Sequence, residues 1–301
     1  KTWGGSSNDV ANALAIDRSS NDIYIGGYLA NAAVDYDPGP GTVMIGGGSG
    51  GQGGRDAWIS KFNVSGDLQW AKNFGSNHHD RIEGMDAASG NVYATGLFRG
   101  SGGDWDTGSG TIQLGTAGSY DPFTIKLNSS GLTQWAFSVG GPSSTEAGQN
   151  VTVDAAGNVY TTGWYNGTSD LDSGSGTANF TSYQSNRSDA FLLKHNSAGV
   201  HQWAQVFPSF AHGQGRDVTT DAAGNVYMAG YANGWMDFDP SDDDGTIILN
   251  GADGWVAKYT SAGALATGNA PLVANPPAGF QVVHGPVDGD QLQGFEAEVV
   301  L

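Results

Sequence analysis

Short runs of alternating apolar and polar residues, separated by Gly, Asn and Asp, follow one another along most of the chain. Alternation with a period of two predicts half-buried β-strands, and Gly and Asn between the runs suit tight hairpin turns. No stretch has the apolar spacing of an amphipathic helix. No apolar run approaches the roughly 20 residues that a membrane-spanning helix needs. The pattern therefore predicts an all-β protein without membrane insertion.

The runs recur as four copies of one unit. Tyr24, Tyr93, Tyr160 and Tyr227 occupy the same point of each copy, at spacings of 69, 67 and 67 residues. Each copy predicts three strands, and the first three copies add a fourth that carries Trp70, Trp135 or Trp203. Self-similarity over a long period is typical of stacked units, and four antiparallel strands per unit describe a propeller blade.

These observations predict a β-propeller of four long blades, each four-stranded and about 67 residues in length. We expect it to span residues 1–269, with residues 270–301 as a Pro-rich linker and a strand-like extension. The fourth copy has Thr267 where tryptophan is expected, while residues 1–5 match the end of a fourth strand. Closure of the ring by the N-terminal strand and an open array cut from a longer propeller both remain open.

The segments DAAGNVYTTGWY, DAFLLKHNSAGVHQWA and DYDPGPGT resemble the β-propeller repeats of large secreted and cell-surface bacterial proteins. The resemblance covers residues 1–266. It implies an extracellular or surface location and a scaffold or binding role. It names no substrate and transfers no catalytic residue.

Charge and cysteine content narrow the range of functions. The net charge is −18, and 26 of the 30 acidic residues are aspartate. Such an acidic surface argues against nucleic acid as a partner, because phosphate binding depends on Lys and Arg. The chain has no cysteine, which excludes disulfides, zinc–thiolate sites and cysteine nucleophiles.

One pair of carboxylates recurs between the second and third strands of every copy. In an extended segment the residue between two aspartates points inward and both carboxylates point outward, near enough to share a cation. The sequence therefore predicts calcium sites, best in the fourth copy; the alternative is that the aspartates only stabilise turns. The candidate ligands are Asp35, Asp37, Asp104, Asp106, Asp170, Asp172, Asp237, Asp239 and Asp242.

Other repeated side chains have mainly structural interpretations. A lysine recurs on the third strand at positions 61, 126, 194 and 258, and we expect it to pair with the aspartate that ends a first strand or with a neighbouring blade. Trp105, Trp164 and Trp235 lie near the acidic segments and are candidates for stacking on sugar rings. No sequence motif of a hydrolase nucleophile, a metalloprotease or a phosphate-binding loop occurs.

We therefore expect a non-catalytic, secreted or cell-surface propeller that serves adhesion, assembly or scaffolding, with Ca²⁺ as a candidate stabilising ion. Its expected partners are further copies of itself or other surface proteins. A carbohydrate-binding propeller is the alternative, and a propeller hydrolase or lyase is a weaker one.

Overall fold

The computed structural model describes residues 8–30, 33–46, 54–115, 118–142, 145–239, 246–266 and 272–273, with only the backbone described for 246–251 and 272–273. All regular structure in these residues is β-strand, which confirms the all-β prediction. No helix long and apolar enough to span a bilayer occurs in them.

In the described part of the chain, twenty strands form four four-stranded antiparallel sheets and two short hairpins. The first sheet contains β1 (Val10–Asp17), β2 (Asp22–Ala30), β5 (Arg55–Phe62) and β6 (Leu68–Phe74). The second contains β7 (Asp80–Ala88), β8 (Asn91–Phe98), β9 (Asp121–Leu127) and β10 (Thr133–Ser138). The third contains β11 (Ala147–Val153), β12 (Val159–Asn166), β15 (Ser188–His195) and β16 (His201–Phe207). The fourth contains β17 (Gly213–Thr220), β18 (Val226–Asp237), β19 (Thr246–Tyr259) and β20 (Leu272–Val273).

The short hairpins lie between the second and third strands of the first and third sheets. They pair β3 (Val34–Asp35) with β4 (Met44–Ile45), and β13 (Thr168–Asp170) with β14 (Asn179–Thr181). The acidic pairs of these two copies therefore begin on a hairpin that projects from the main sheet.

The hairpin turn between the third and fourth strands shows why the repeat keeps Asn and Gly. The Asn128 side-chain oxygen accepts hydrogen bonds from the backbone of Ser130 and Leu132, both at 3.0 Å. Gly131 has φ of +73°, a conformation that is costly for residues with a Cβ. The side chain and the glycine together close the turn without help from distant residues.

Consecutive sheets pack against one another, with their first strands β1, β7, β11 and β17 in succession. The largest apolar cluster joins the first two sheets and includes Ile59, Phe74, Met85 and Phe123. A second cluster joins the third and fourth sheets around Phe207 and Trp255. In the described residues no comparable packing joins the first sheet to the fourth.

The fourth sheet is completed differently from the other three. Leu272 and Val273 pair with Val256 and Trp255, so two residues that we assigned to the C-terminal extension form the last strand of this sheet. Residues 1–5, which we considered for that strand, and residues 274–301 lie outside the described residues.

Candidate functional site

Each acidic pair flanks a buried residue that anchors its segment in the core. Tyr36, Trp105, Leu171 and Phe238 are fully buried, while the aspartates on either side are half-buried. The segment also bonds to the preceding sheet through its backbone: Gly140 and Asp170 exchange N–H···O bonds of 2.9 and 3.1 Å. The acidic segments are therefore part of the junctions between sheets.

The carboxylates of the pairs hold the loops that follow them. Asp104 Oδ1 accepts hydrogen bonds from the backbone N–H of Asp106 at 2.9 Å and of Ile112 at 3.1 Å. Asp106 Oδ1 in turn accepts one from Gly108 at 2.7 Å. The same three bonds recur in the first and third copies, on Asp35 and Asp37 and on Asp170 and Asp172. This geometry matches the turn-stabilising alternative, and it is an Asx-type arrangement.

In the first three copies, two glycines after the pair make room for the second carboxylate. A Cβ added to Gly110 would lie 2.2 Å from Asp106 Oδ2, and Gly41 and Gly176 stand in the same relation to Asp37 and Asp172. The predictions from the sequence did not single out these glycines. The repeated spacing Asp-x-Gly-x-Gly was the signal that would have identified them as carboxylate-binding positions.

The predicted calcium sites would use the carboxylate oxygens of the same paired aspartates. No group of three or more His, Asp or Glu side chains converges on a metal-sized site in the described part of the chain. Asp239 N–H donates to Asp237 Oδ1 at 3.0 Å, as in the other copies. Asp242, the additional ligand expected in the fourth copy, lies outside the described residues.

The three candidate tryptophans occupy different environments. Trp105 is fully buried against Phe98 and Phe123, with ring centroids 5.1 and 4.6 Å apart, so its ring is not accessible for stacking on a sugar. Trp164 is half-buried and lines a cavity. Trp235 is half-buried and makes an edge contact at 4.6 Å with the exposed ring of Tyr183.

The four repeated lysines lie over tyrosine rings, and the first three also reach the next sheet. Their Nζ atoms are 5.2–5.6 Å from the ring centroids of Tyr24, Tyr93, Tyr160 and Tyr227. Lys194 Nζ also donates to Ser261 O at 2.7 Å in the turn of the following sheet. Lys61 pairs with Asp22 at 2.9 Å, not with Asp17 at the end of the first strand. All four copies thus share the position of the lysine over the tyrosine ring, and Lys61, Lys126 and Lys194 also share the contact with the next sheet.

Tryptophans of the fourth strands complete a repeated junction, which we call the clasp. Trp70 Nε1 donates to Ser129 O at 2.9 Å, and Trp135 Nε1 donates to Ser197 O at 3.2 Å. The indole of Trp70 also packs against Gly131, where an added Cβ would lie 2.8 Å from Cδ2. Each clasp joins the third and fourth strands of one sheet to the hairpin turn of the next.

The two sheets at the ends of the stack each have one apolar face that no neighbouring sheet covers in the described residues. We call the face of a sheet that packs on the preceding sheet its incoming face, and the opposite one its outgoing face. On the incoming faces Met85, Val151 and Val218 are at most 7% exposed, while the equivalent Leu14 of the first sheet is 62% exposed. On the outgoing faces Ile59, Thr124 and Leu192 are at most 2% exposed, while the equivalent Val256 of the fourth sheet is 42% exposed.

Half of a clasp is present at each end. The turn of the first sheet has Val64 at the carbonyl-acceptor position, 74% exposed, and an added Cβ on Gly66 would meet nothing within 4 Å. At the other end Lys258 lies over Tyr227, as in the internal clasps. The end faces therefore carry complementary apolar and polar groups.

Comparison with known proteins does not assign a family to this chain. Neither a protein-family model nor a curated protein matches this chain.

Proposed function

We propose that the chain is a non-catalytic β-propeller module, secreted or displayed on a cell surface, that assembles end to end with further copies of itself. The four sheets are its blades, and its role is structural scaffolding or adhesion. The resemblance of the repeats to those of surface propellers supports the surface location and the blade arrangement. The blade arrangement is also supported by the packing of the first strands of successive sheets against one another.

The observation that carries the proposal is the exposure of Leu14 at one end and Val256 at the other. Ile16, on the same face of β1 as Leu14, is also 49% exposed. The two faces are different surfaces of the molecule, so contact between them is heterologous. Such a contact closes into a ring or extends into a filament. Burial of the apolar side chains on both faces favours association, because it removes them from water.

The test uses one substitution at each end. We expect the unmodified chain to show a molar mass of twice its own 31.0 kDa or more by size-exclusion chromatography with light scattering. Leu14→Asp and Val256→Asp should each give monomers, because a carboxylate at the contact must lose its hydration. A mixture of the two variants should give a one-to-one dimer and nothing larger, since each variant retains one intact face.

Met44→Asp is the matched control, because Met44 is 55% exposed but lies outside both end faces. It should leave the mass distribution of the unmodified chain unchanged. A monomeric unmodified chain at all concentrations would contradict end-to-end assembly, and so would a dimer that survives both end substitutions.

Calcium binding by the acidic pairs remains part of the proposal. Oδ1 of Asp104 and of Asp106 accepts backbone hydrogen bonds, which leaves the Oδ2 atoms and the loop carbonyls as oxygen ligands of the kind calcium prefers. Thermal unfolding with millimolar calcium should rise by several degrees over an EDTA-treated sample. The rise should become smaller in the double variant Asp237→Ala, Asp239→Ala; no rise in the unmodified chain on addition of calcium would assign the aspartates to turn stabilisation alone.

Carbohydrate binding is the second candidate function. Half-buried Trp235 with exposed Tyr183 supports it, because partly exposed aromatic rings present apolar faces next to polar groups. Loss of glycan-array binding on Trp235→Ala would identify this site. The weaker hydrolase or lyase alternative requires turnover of a glycan substrate by the purified chain.

A further inference from the structure

A cavity of about 360 Å³ lies where three successive sheets meet. Arg55 at the start of β5, Arg81 on β7 and Trp164 on β12 line it, together with His79, Tyr120 and Thr145. This volume is typical of small-molecule sites, which combine apolar walls with a few polar groups.

Its side chains depart from the repeat. Arg81 faces Leu97 in register, and the equivalent positions of the other sheets hold Val10, Ala147 and Gln214. The positions equivalent to Arg55 hold Tyr120, Ser188 and Ala252. Tyr24 and Lys61, in contrast, have an equivalent in every copy. The two arginines are therefore features of this site and not of the repeat.

The cavity concentrates positive charge in an acidic protein. The chain has six arginines, of which Arg55 and Arg81 line the cavity, and Arg99 lies 5.8 Å from the ring centroid of Tyr120 on the cavity wall. Arg55 is held with its guanidinium 4.5 Å from the ring centroid of Tyr28. Glu83 holds Arg81 through Nε, at 2.5 Å. Fixed guanidinium groups bind a planar carboxylate with two parallel hydrogen bonds.

The acidic side chain that lines the cavity competes only weakly with a ligand carboxylate for these arginines. Asp80 also lines the cavity, but its carboxylate already accepts hydrogen bonds from Ser76 N and Oγ at 2.6 and 2.7 Å. Burial raises the pKa of Asp80 to about 7, so it carries less than a full charge near neutral pH. His79 Nδ1 has no hydrogen-bond partner among the described residues and is a further polar group at the wall.

Trp164 supplies an apolar wall. Its cross-strand partners are Ala147 and Ala190, so no bulky side chain in register covers the indole. An aromatic face packs well against the C–H face of a pyranose ring, which is apolar on that side and polar at its edge.

We propose that this cavity binds a sugar that bears a carboxylate, with Arg55 and Arg81 contacting the carboxylate and Trp164 packed against the ring. The site is separate from the end faces and goes beyond the assembly function. The ligand of this site is an acidic monosaccharide or the acidic end of a glycan.

Isothermal titration of the full chain with glucuronate tests the proposal at low ionic strength. We expect saturable one-to-one binding, weakened by about tenfold or more in Arg81→Gln and in Trp164→Ala. Arg187→Gln is the matched control, because Arg187 is exposed, lies outside the cavity and changes the net charge equally. Circular dichroism on each variant shows whether it is folded, and Arg55→Gln provides a second test of the cationic wall.

Three results would overturn the proposal. One is the absence of saturation by about 10 mM glucuronate. Another is equal affinity for glucose, and the third is equal binding of inorganic phosphate with no effect of Trp164→Ala, which would indicate an anion site without sugar recognition. The Leu14→Asp variant should bind glucuronate like the unmodified chain, so failure of the sugar site and failure of assembly are distinguishable.

Discussion

The clasp between the first two sheets allows one contact to be measured separately from backbone strain. Gly131 has φ of +73°, so Gly131→Ala places a Cβ in the left-handed region at a cost of about 1–2 kcal/mol. The same Cβ would lie 2.8 Å from Trp70 Cδ2 and 3.0 Å from two further indole carbons. Forcing the indole away costs about 1–3 kcal/mol more, as overpacking in cores does. We expect a loss of roughly 2–5 kcal/mol in the free energy of unfolding.

Gly66→Ala is the matched control for this substitution. Gly66 occupies the same position of the same turn with φ of +78°, but an added Cβ there meets nothing within 4 Å. It should lose only the strain, about 1–2 kcal/mol. The assay is urea unfolding monitored by circular dichroism, at a concentration at which the chain is monomeric.

A double-mutant cycle then tests whether the difference between the stability losses of Gly131→Ala and Gly66→Ala comes from the Trp70 indole. In a Trp70→Ala background, Gly131→Ala should cost no more than Gly66→Ala does, because the atoms it would strike are gone. Equal losses for Gly131→Ala and Gly66→Ala in the unmodified background would refute the reasoning. So would a cycle that shows no coupling between Gly131 and Trp70.

Three further predictions concern other parts of the fold. Burial, together with the nearby His201, lowers the pKa of His195 to about 3, so its contribution to stability is complete above pH 6.5 and is lost as the pH falls. Urea unfolding at pH 7 and pH 5 should differ by about 2 kcal/mol on this account, and the difference should shrink in His195→Gln. Gly110→Ala should destabilise by about 1–3 kcal/mol through contact with a carboxylate, while Gly115→Ala, with open space around it, should be nearly silent in the same assay. Trp105→Ala should cost about 3–5 kcal/mol as a core deletion and half-buried Trp164→Ala clearly less; equal losses would contradict the assigned burial.

Strand order and the direction of buried residues were predictable because each copy repeats the same alternation. The tyrosine at 24, 93, 160 and 227 marked the second strand of every sheet correctly, and the residue between the paired aspartates is buried as period-two alternation requires. Four copies of the same pattern constrain the assignment more than any single strand does. Leu272–Val273 were assigned to the C-terminal extension because no tryptophan marks them as a fourth strand, and their pairing with β19 became visible only in the structure.

The candidate sites were less predictable because their chemistry depends on contacts between sheets. Nothing local in the sequence distinguishes Trp105, which is buried between two sheets, from Trp164, which lines a cavity. The grouping of Arg55 with Arg81 also arises only when successive sheets pack, since the residues lie on different strands. Departure from the repeat is the one sequence signal that points to them.

The hydrogen-bond acceptors in the clasp are backbone carbonyls, so a substitution in the turn does not remove the acceptor. Trp70, Trp135 and Lys194 all donate to the main chain of a neighbouring turn, so the side chain at that turn position carries no part of the bond. Any residue that allows the turn can occupy it. A duplicated or exchanged repeat therefore meets its new neighbour with the hydrogen-bond acceptor of the clasp already in place.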